Sequence, residues 1–111
     1  MTHKRSRKDI NILLSQIKSA LNNFYGKNLV ELILYGSFAR DEATEDSDID
    51  IAVVLIDEVD QFQEIERINE LTYPLVLEKG ELVSFYPIST EELKDREWPL
   101  HYHIQEEGIT I

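Results

Sequence analysis

The 111-residue chain carries a formal charge of −11 and no cysteine. That length is expected to make one domain, 1–111, with a core of its own but no separate lid or specificity domain, so specificity is expected to come from a partner. Cysteine's absence excludes a disulfide framework and a cysteine metal site, and no apolar run reaches the roughly 18 residues that cross a bilayer.

The charge is unevenly placed. Four of the eleven basic residues lie in the first eight positions, whereas residues 41–60 hold nine carboxylates and no Lys or Arg. Such a surface repels phosphate backbones and offers no counterion release, which argues against a long DNA or RNA substrate. The basic start Lys4-Arg5-Ser6-Arg7-Lys8 is not followed by a signal-type apolar stretch, so residues 1–8 read as a mobile basic terminus of a cytoplasmic protein.

In chain order, Ile10, Leu13, Leu14, Ile17, Ala20, Leu21 and Phe24 recur at steps of three and four and predict a helix over 9–24. Gly26 and Asn28 punctuate the chain, and the apolar run 29–35 predicts a buried strand that delivers Gly36. Residues 37–40 are expected to open a short helix, 41–46 to form a polar loop, and 48–55 to form a second strand. Phe62, Ile65, Ile68, Leu71 and Leu75 predict a helix over 60–77 that Pro74 kinks or interrupts. Lys79-Gly80 turns the chain into a third strand, 81–86, which Pro87 is expected to end. Ser89 and Glu92 form a capping box for a short helix, and 96–111 reads as an irregular tail.

The segment with chemistry in it is Tyr35-Gly36-Ser37-Phe38-Ala39-Arg40, then Ser47-Asp48-Ile49-Asp50. Alternate side chains of a strand share a face, so Asp48 and Asp50 are expected to present two carboxylates to the same metal ions. Amides of a turn at Gly36 and Ser37 can bond phosphate oxygens, with the missing glycine Cβ allowing close approach and Ser37 adding a hydroxyl. Arg40 reaches either a phosphate or a partner's acidic surface; the alternative is a surface ion pair with Asp41, Glu42 or Asp46.

This string resembles the Gly-Ser and Asp-x-Asp motif of the polymerase-beta-like nucleotidyltransferase superfamily, and in particular its minimal nucleotidyltransferases. The matching residues are Gly36, Ser37, Asp48 and Asp50, with Arg40 and Ser47 fitting the extended Gly-Ser-x-Ala-Arg and Ser-Asp-x-Asp forms; the resemblance covers residues 10 to 95. It implies an α/β (α+β) nucleotidyltransferase fold, a small mixed sheet flanked by helices. It also implies ATP as donor and a two-magnesium site on Asp48 and Asp50, the ions about 3.5–4 Å apart, with Gly36, Ser37, Arg40 and Ser47 toward the nucleotide. A third carboxylate, metal ligand and proton acceptor, is implied on a later strand, where Glu81-Leu82-Val83 resembles the usual Asp-Leu-Val.

Proteins similar to this one are often antitoxins encoded with a HEPN ribonuclease toxin, which they inactivate by transferring AMP to a tyrosine (AMPylation). Two other classes are expected to compete: an antitoxin that only masks its partner, and a nucleotidyltransferase acting on small molecules such as antibiotics. His101 and His103 are set aside as surface or partner contacts, since nothing adjacent in the sequence completes a metal site. Trp98, Tyr102 and Ile104 read as packing or docking residues, and Tyr25, Tyr35, Tyr73 and Tyr86 as structural.

Overall fold

The computed structural model describes residues 3–111. The helical stripe becomes a 3-10 turn, Arg7–Ile10, continuing into helix α1, Asn11–Tyr25, with Leu13, Leu14, Ile17 and Leu21 buried as their spacing requires. Strand β1 is Leu29–Tyr35 and strand β2 is Ile49–Leu55. Helix α2, Gln61–Lys79, starts where the Asp60 carboxylate accepts the Gln63 N–H and stops at Gly80, whose left-handed φ of 66° suits a residue without a Cβ. Strand β3 is Val83–Ser89, followed by helices α3, Thr90–Leu93, and α4, Pro99–Glu107, and the short strand β4, Ile109–Thr110.

The strands form one mixed sheet in the order β3-β2-β1-β4, with β2 and β3 parallel and the other pairs antiparallel. This is the α+β architecture expected from the sequence. Strand alternation divides β2 between two cores. Ile49, Ile51, Val53 and Leu55 pack with the apolar sides of α1 and α2. Ala52 and Val54 point the other way and pack with Ile33, Ile88, Leu93 of α3 and Ile104 of α4. Asp50 shares the parity of this second face.

Several expectations need correction. Pro87 does not end the third strand, because β3 lies at the sheet edge and its missing N–H leaves no inner partner unpaired. Pro74 does not interrupt α2; it sits on the exposed side, as does Glu70 one turn earlier, whose carbonyl the proline leaves free for water. Phe62 falls on the helical stripe yet is 76% exposed. Residues 37–40 form a hydrogen-bonded turn instead of a helix, closed by Asp41 in a left-handed conformation with φ of 59°.

The termini differ most. The 96–111 segment is no irregular tail: Pro99 opens α4 at a position that needs no N–H, and Ile104 and His101 bury its inner side. Its weak periodicity hid it, since only a narrow stripe of so short a helix is apolar. Of the basic terminus 1–8, residues 1 and 2 lie outside the described residues. The rest is docked: Lys4 bridges Thr44, the Arg5 N–H donates to the Ala43 carbonyl at 2.9 Å, and the Glu45 N–H donates to the His3 carbonyl at 3.2 Å. Backbone pairing and the buried Ala43 beneath it hold what charge alone suggested was loose.

Gly108 joins α4 to β4 with its N–H on the Ile104 carbonyl at 3.0 Å, and a Cβ there would run into that carbonyl and the Ile33 side chain. Gly108→Ala is therefore expected to destabilise the fold by about 1–3 kcal/mol, read as a lower urea midpoint with an unchanged m-value.

Candidate active site

The site forms where β1 ends and β2 begins. Antiparallel pairing sets Tyr35 opposite Asp50, and parallel pairing sets Ser84 on the other side of Asp50. Tyr35, Asp50 and Ser84 thus make a row across the sheet on the face that α4 covers further along. The chain leaves β1 through Gly36 with φ of 77°, and a Cβ at this position would collide with the Asp50 carboxylate. Glycine is needed twice over, for the backbone conformation and for the approach of the turn to the acid.

After Gly36, the Ala39 and Arg40 N–H groups both donate to its carbonyl at 3.1 Å. The preceding N–H groups, of Ser37 and Phe38, stand at the open start of the turn, where no carbonyl within the turn can reach them. Phe38 is buried beneath as an anchor, so the turn is held from the core side, and Gly36 and Ser37 line the cleft above it.

A cleft of about 380 Å³ opens here, lined by Tyr35, Gly36, Ser37, Arg40 and Asp50 on one side and by Leu100, His103 and Glu107 of α4 on the other. Its size lies within the range of small-molecule sites. The Arg40 guanidinium bridges two carboxylates, Glu42 at 3.3 Å and Glu107 at 3.1 Å. The first is one of the surface partners expected from sequence; the second ties the glycine turn to α4.

Electrostatics mark the acid at the centre. Burial first, and the neighbouring Asp48 charge second, raise the Asp50 carboxyl above its ordinary value, with Arg40 opposing them. Burial, then Asp50, then Tyr86 push the Tyr35 hydroxyl up to about 12, which keeps it protonated. Asp48 lies two residues before Asp50, exposed at the mouth of the strand. The two carboxylates and the turn amides are a donor set for a divalent cation and the phosphate oxygens that accompany one.

Two of the sequence-derived site residues are placed elsewhere. Ser47 is used by its own loop: its hydroxyl accepts the Thr44 N–H at 2.9 Å and its N–H donates to the Thr44 carbonyl at 3.1 Å, which fixes the approach to Asp48. Glu81 is not beside Asp50. Its carboxylate takes two hydrogen bonds from the Arg5 guanidinium, at 2.8 and 2.6 Å, in a largely buried pair. The register gives the reason, because the residue next to Asp50 is Ser84 and Glu81 precedes the strand with opposite parity. Among the described residues no third acidic, His or Cys group joins Asp48 and Asp50 in a metal-sized cluster.

Sequence reasoning also missed the α4 wall. His101 is buried, its Nδ1 3.0 Å from the Asp95 carbonyl and its Nε2 3.0 Å from the Tyr86 hydroxyl. A carbonyl only accepts, so Nδ1 carries the proton and the Tyr86 hydroxyl donates to Nε2. This clamp fixes α4 on β3, and so places His103 and Glu107, two and six residues on, at the cleft. A Glu four residues after a His is the only local signal that pointed there.

The sequence profile of the nucleotidyltransferase domain family matches residues 14–109. A Methanocaldococcus jannaschii protein named putative protein adenylyltransferase MJ0604 is 32% identical over 100 residues, spanning 88% of this chain and 93% of that one. A solved structure described as a putative minimal nucleotidyltransferase aligns with a TM-score of 0.61 and 26% identity, over 93% of this chain and 96% of its own. A putative nucleotidyltransferase from Sulfolobus solfataricus shares the fold, with a TM-score of 0.53 and 22% identity over 93% of this chain and 76% of that one.

Gly36→Ala is expected to cost about 1–3 kcal/mol from left-handed strain alone and to displace the Asp50 carboxylate; a urea midpoint equal to wild type would contradict this. For Asp50, a raised folded pKa means that its contribution to stability is full below the unfolded aspartate value and lost as pH rises through the folded one. In metal-free buffer, Asp50→Asn should therefore melt above wild type at pH 7, and the difference should close below about pH 3.9.

Proposed function

Because the chain belongs to the nucleotidyltransferase domain family, we propose that it is a magnesium-dependent protein adenylyltransferase, which transfers AMP from ATP to a tyrosine of a HEPN ribonuclease toxin and so neutralises it. The observation that carries this reading is the contact of the Gly36 turn with Asp50: a glycine turn and a partly buried carboxylate share one wall of one cleft. The relative named as a protein adenylyltransferase favours a protein as acceptor. The HEPN partner comes from the resemblance to antitoxins encoded beside such toxins, and the cytoplasm, which supplies ATP and magnesium, is the proposed place of action. No helix among the described residues is long and apolar enough to cross a membrane.

Asp48 and Asp50 fit magnesium, which prefers hard carboxylate oxygens and completes its shell with water and substrate phosphates. Burial raises the Asp50 pKa most and the neighbouring Asp48 charge adds to it, and a divalent ion between the two carboxylates would offset both effects. Held by Asp48 and Asp50, such an ion would supply positive charge to the triphosphate and to the attacking oxygen. The Ser37 and Phe38 amides and the Ser37 hydroxyl hold phosphate oxygens, and Tyr35, uncharged at neutral pH, lines the cleft beside them.

A second reading, a masking antitoxin with a degenerate site, is favoured by Ser84 standing where the sheet would present a third carboxylate next to Asp50. The two separate cleanly. Co-purified with the protein encoded beside it and given ATP and magnesium, the wild-type chain should add one or more AMP units to that partner by intact mass. Asp48→Ala should lower transfer by at least about 100-fold with an unchanged circular dichroism spectrum, and EDTA should abolish it. Full neutralisation by Asp48→Ala without added mass would establish masking.

A further inference from the structure

Transfer of AMP to a hydroxyl releases a proton, and among the described residues no third carboxylate joins Asp48 and Asp50 to take it. Glu81 is spent on Arg5, and the residue beside Asp50 is Ser84. The titratable groups sharing the cleft are Tyr35 from β1, Arg40 from the glycine turn, Asp50 from β2, and His103 and Glu107 from α4. Tyr35 stays protonated and Arg40 has no lone pair to offer. Asp50 is committed to the cation under the proposed function. Glu107 has one oxygen on Arg40 at 3.1 Å and the other 3.4 Å from the His103 Nδ1, and a carboxylate paired with guanidinium is a poor base.

His103 remains. Glu107, one turn further along α4, favours the proton on Nδ1 and so leaves the Nε2 lone pair free. The imidazole lines the cleft and is 56% exposed, open to a hydroxyl arriving from a separate protein. Its helix is held by the His101 clamp on Tyr86 and by the Arg40–Glu107 pair, so the ring stands on a rigid wall.

We propose that His103 is the general base of this enzyme, its Nε2 accepting the proton of the acceptor hydroxyl in place of a third carboxylate, a role that rests on the adenylyl-transfer reading above. In the step, the acceptor oxygen forms a bond to the α-phosphorus of ATP. The bond from that phosphorus to the oxygen bridging to the β-phosphate breaks, and its electron pair leaves on pyrophosphate. The hydroxyl proton passes to Nε2, the imidazolium faces Glu107 through Nδ1–H, and the proton is then lost to water.

The test is kinetic, with MgATP as donor and the co-purified partner protein as acceptor. His103→Ala places a good helix former at an exposed site and should lower kcat by at least about 100-fold, with KM for ATP unchanged. Added imidazole should restore part of the rate to His103→Ala but not to His103→Gln, whose side chain fills the space. The wild-type rate should fall as pH drops, and that fall should be smaller in His103→Ala. A variant rate within a few-fold of wild type, or a raised KM with no imidazole rescue, overturns the proposal and leaves the adenylyl-transfer reading standing. A wild-type chain that transfers no AMP overturns both.

Discussion

The contact on which the rest of the site depends is the approach of the Gly36 backbone to the Asp50 carboxylate. It requires a left-handed residue at the end of β1, no side chain there, and the β1–β2 register that sets Tyr35 opposite Asp50. With those in place, amides that attract phosphate oxygens and an acid that attracts a cation share one wall, although each repels the other's ligand. Under the proposed function, a nucleoside triphosphate carrying a divalent ion would match both at once, which neither an anion nor a cation alone would do.

That wall is half of a cleft; α4 is the other half. The second core, with Ile33, Ala52, Val54, Ile88, Leu93 and Ile104, draws α3 and α4 onto the sheet face that carries Asp50. Burial brings the helix there, but burial is not directional. The His101 bonds to Tyr86 and Asp95 and the Arg40 pair with Glu107 supply direction, fixing which residues of α4 look into the cleft. The polar links thus act on geometry more than on stability, and they join the site to strand β3, to the 95–98 loop and to the glycine turn.

The basic segment at the start of the chain is the third support. Residues 3–5 pair with 43–45 in the loop that leads to Asp48, while the Arg5 guanidinium lies over the Phe38 ring at 5.5 Å and grips Glu81. One side chain therefore connects the terminus, the glycine turn and the entry to β3. The ion pair also takes out of use the carboxylate that the Glu81-Leu82-Val83 string offered as catalytic.

What the sequence determined by itself is local. Helical stripes, apolar runs and the Gly-Ser spacing depend on neighbours within a few residues, and they were enough for the α+β class and for Gly36 and Ser37 at the turn, whereas β2 begins at Ile49 and leaves Asp48 just before the strand. The tertiary structure decided what depends on register and on partners far along the chain. The sequence singled out Glu81 by its Glu81-Leu82-Val83 string; only the parallel pairing of β3 with β2 sets Ser84 beside Asp50, while Glu81 pairs with Arg5, 76 residues away. Likewise His101 and His103 form an uninformative pair until α4 folds, when one is buried against Tyr86 and the other stands at the cleft. The physical reason is the same in both cases: a side chain's chemistry is set by its spatial neighbours, and a sheet and a helix packed on it bring together residues that no short window contains.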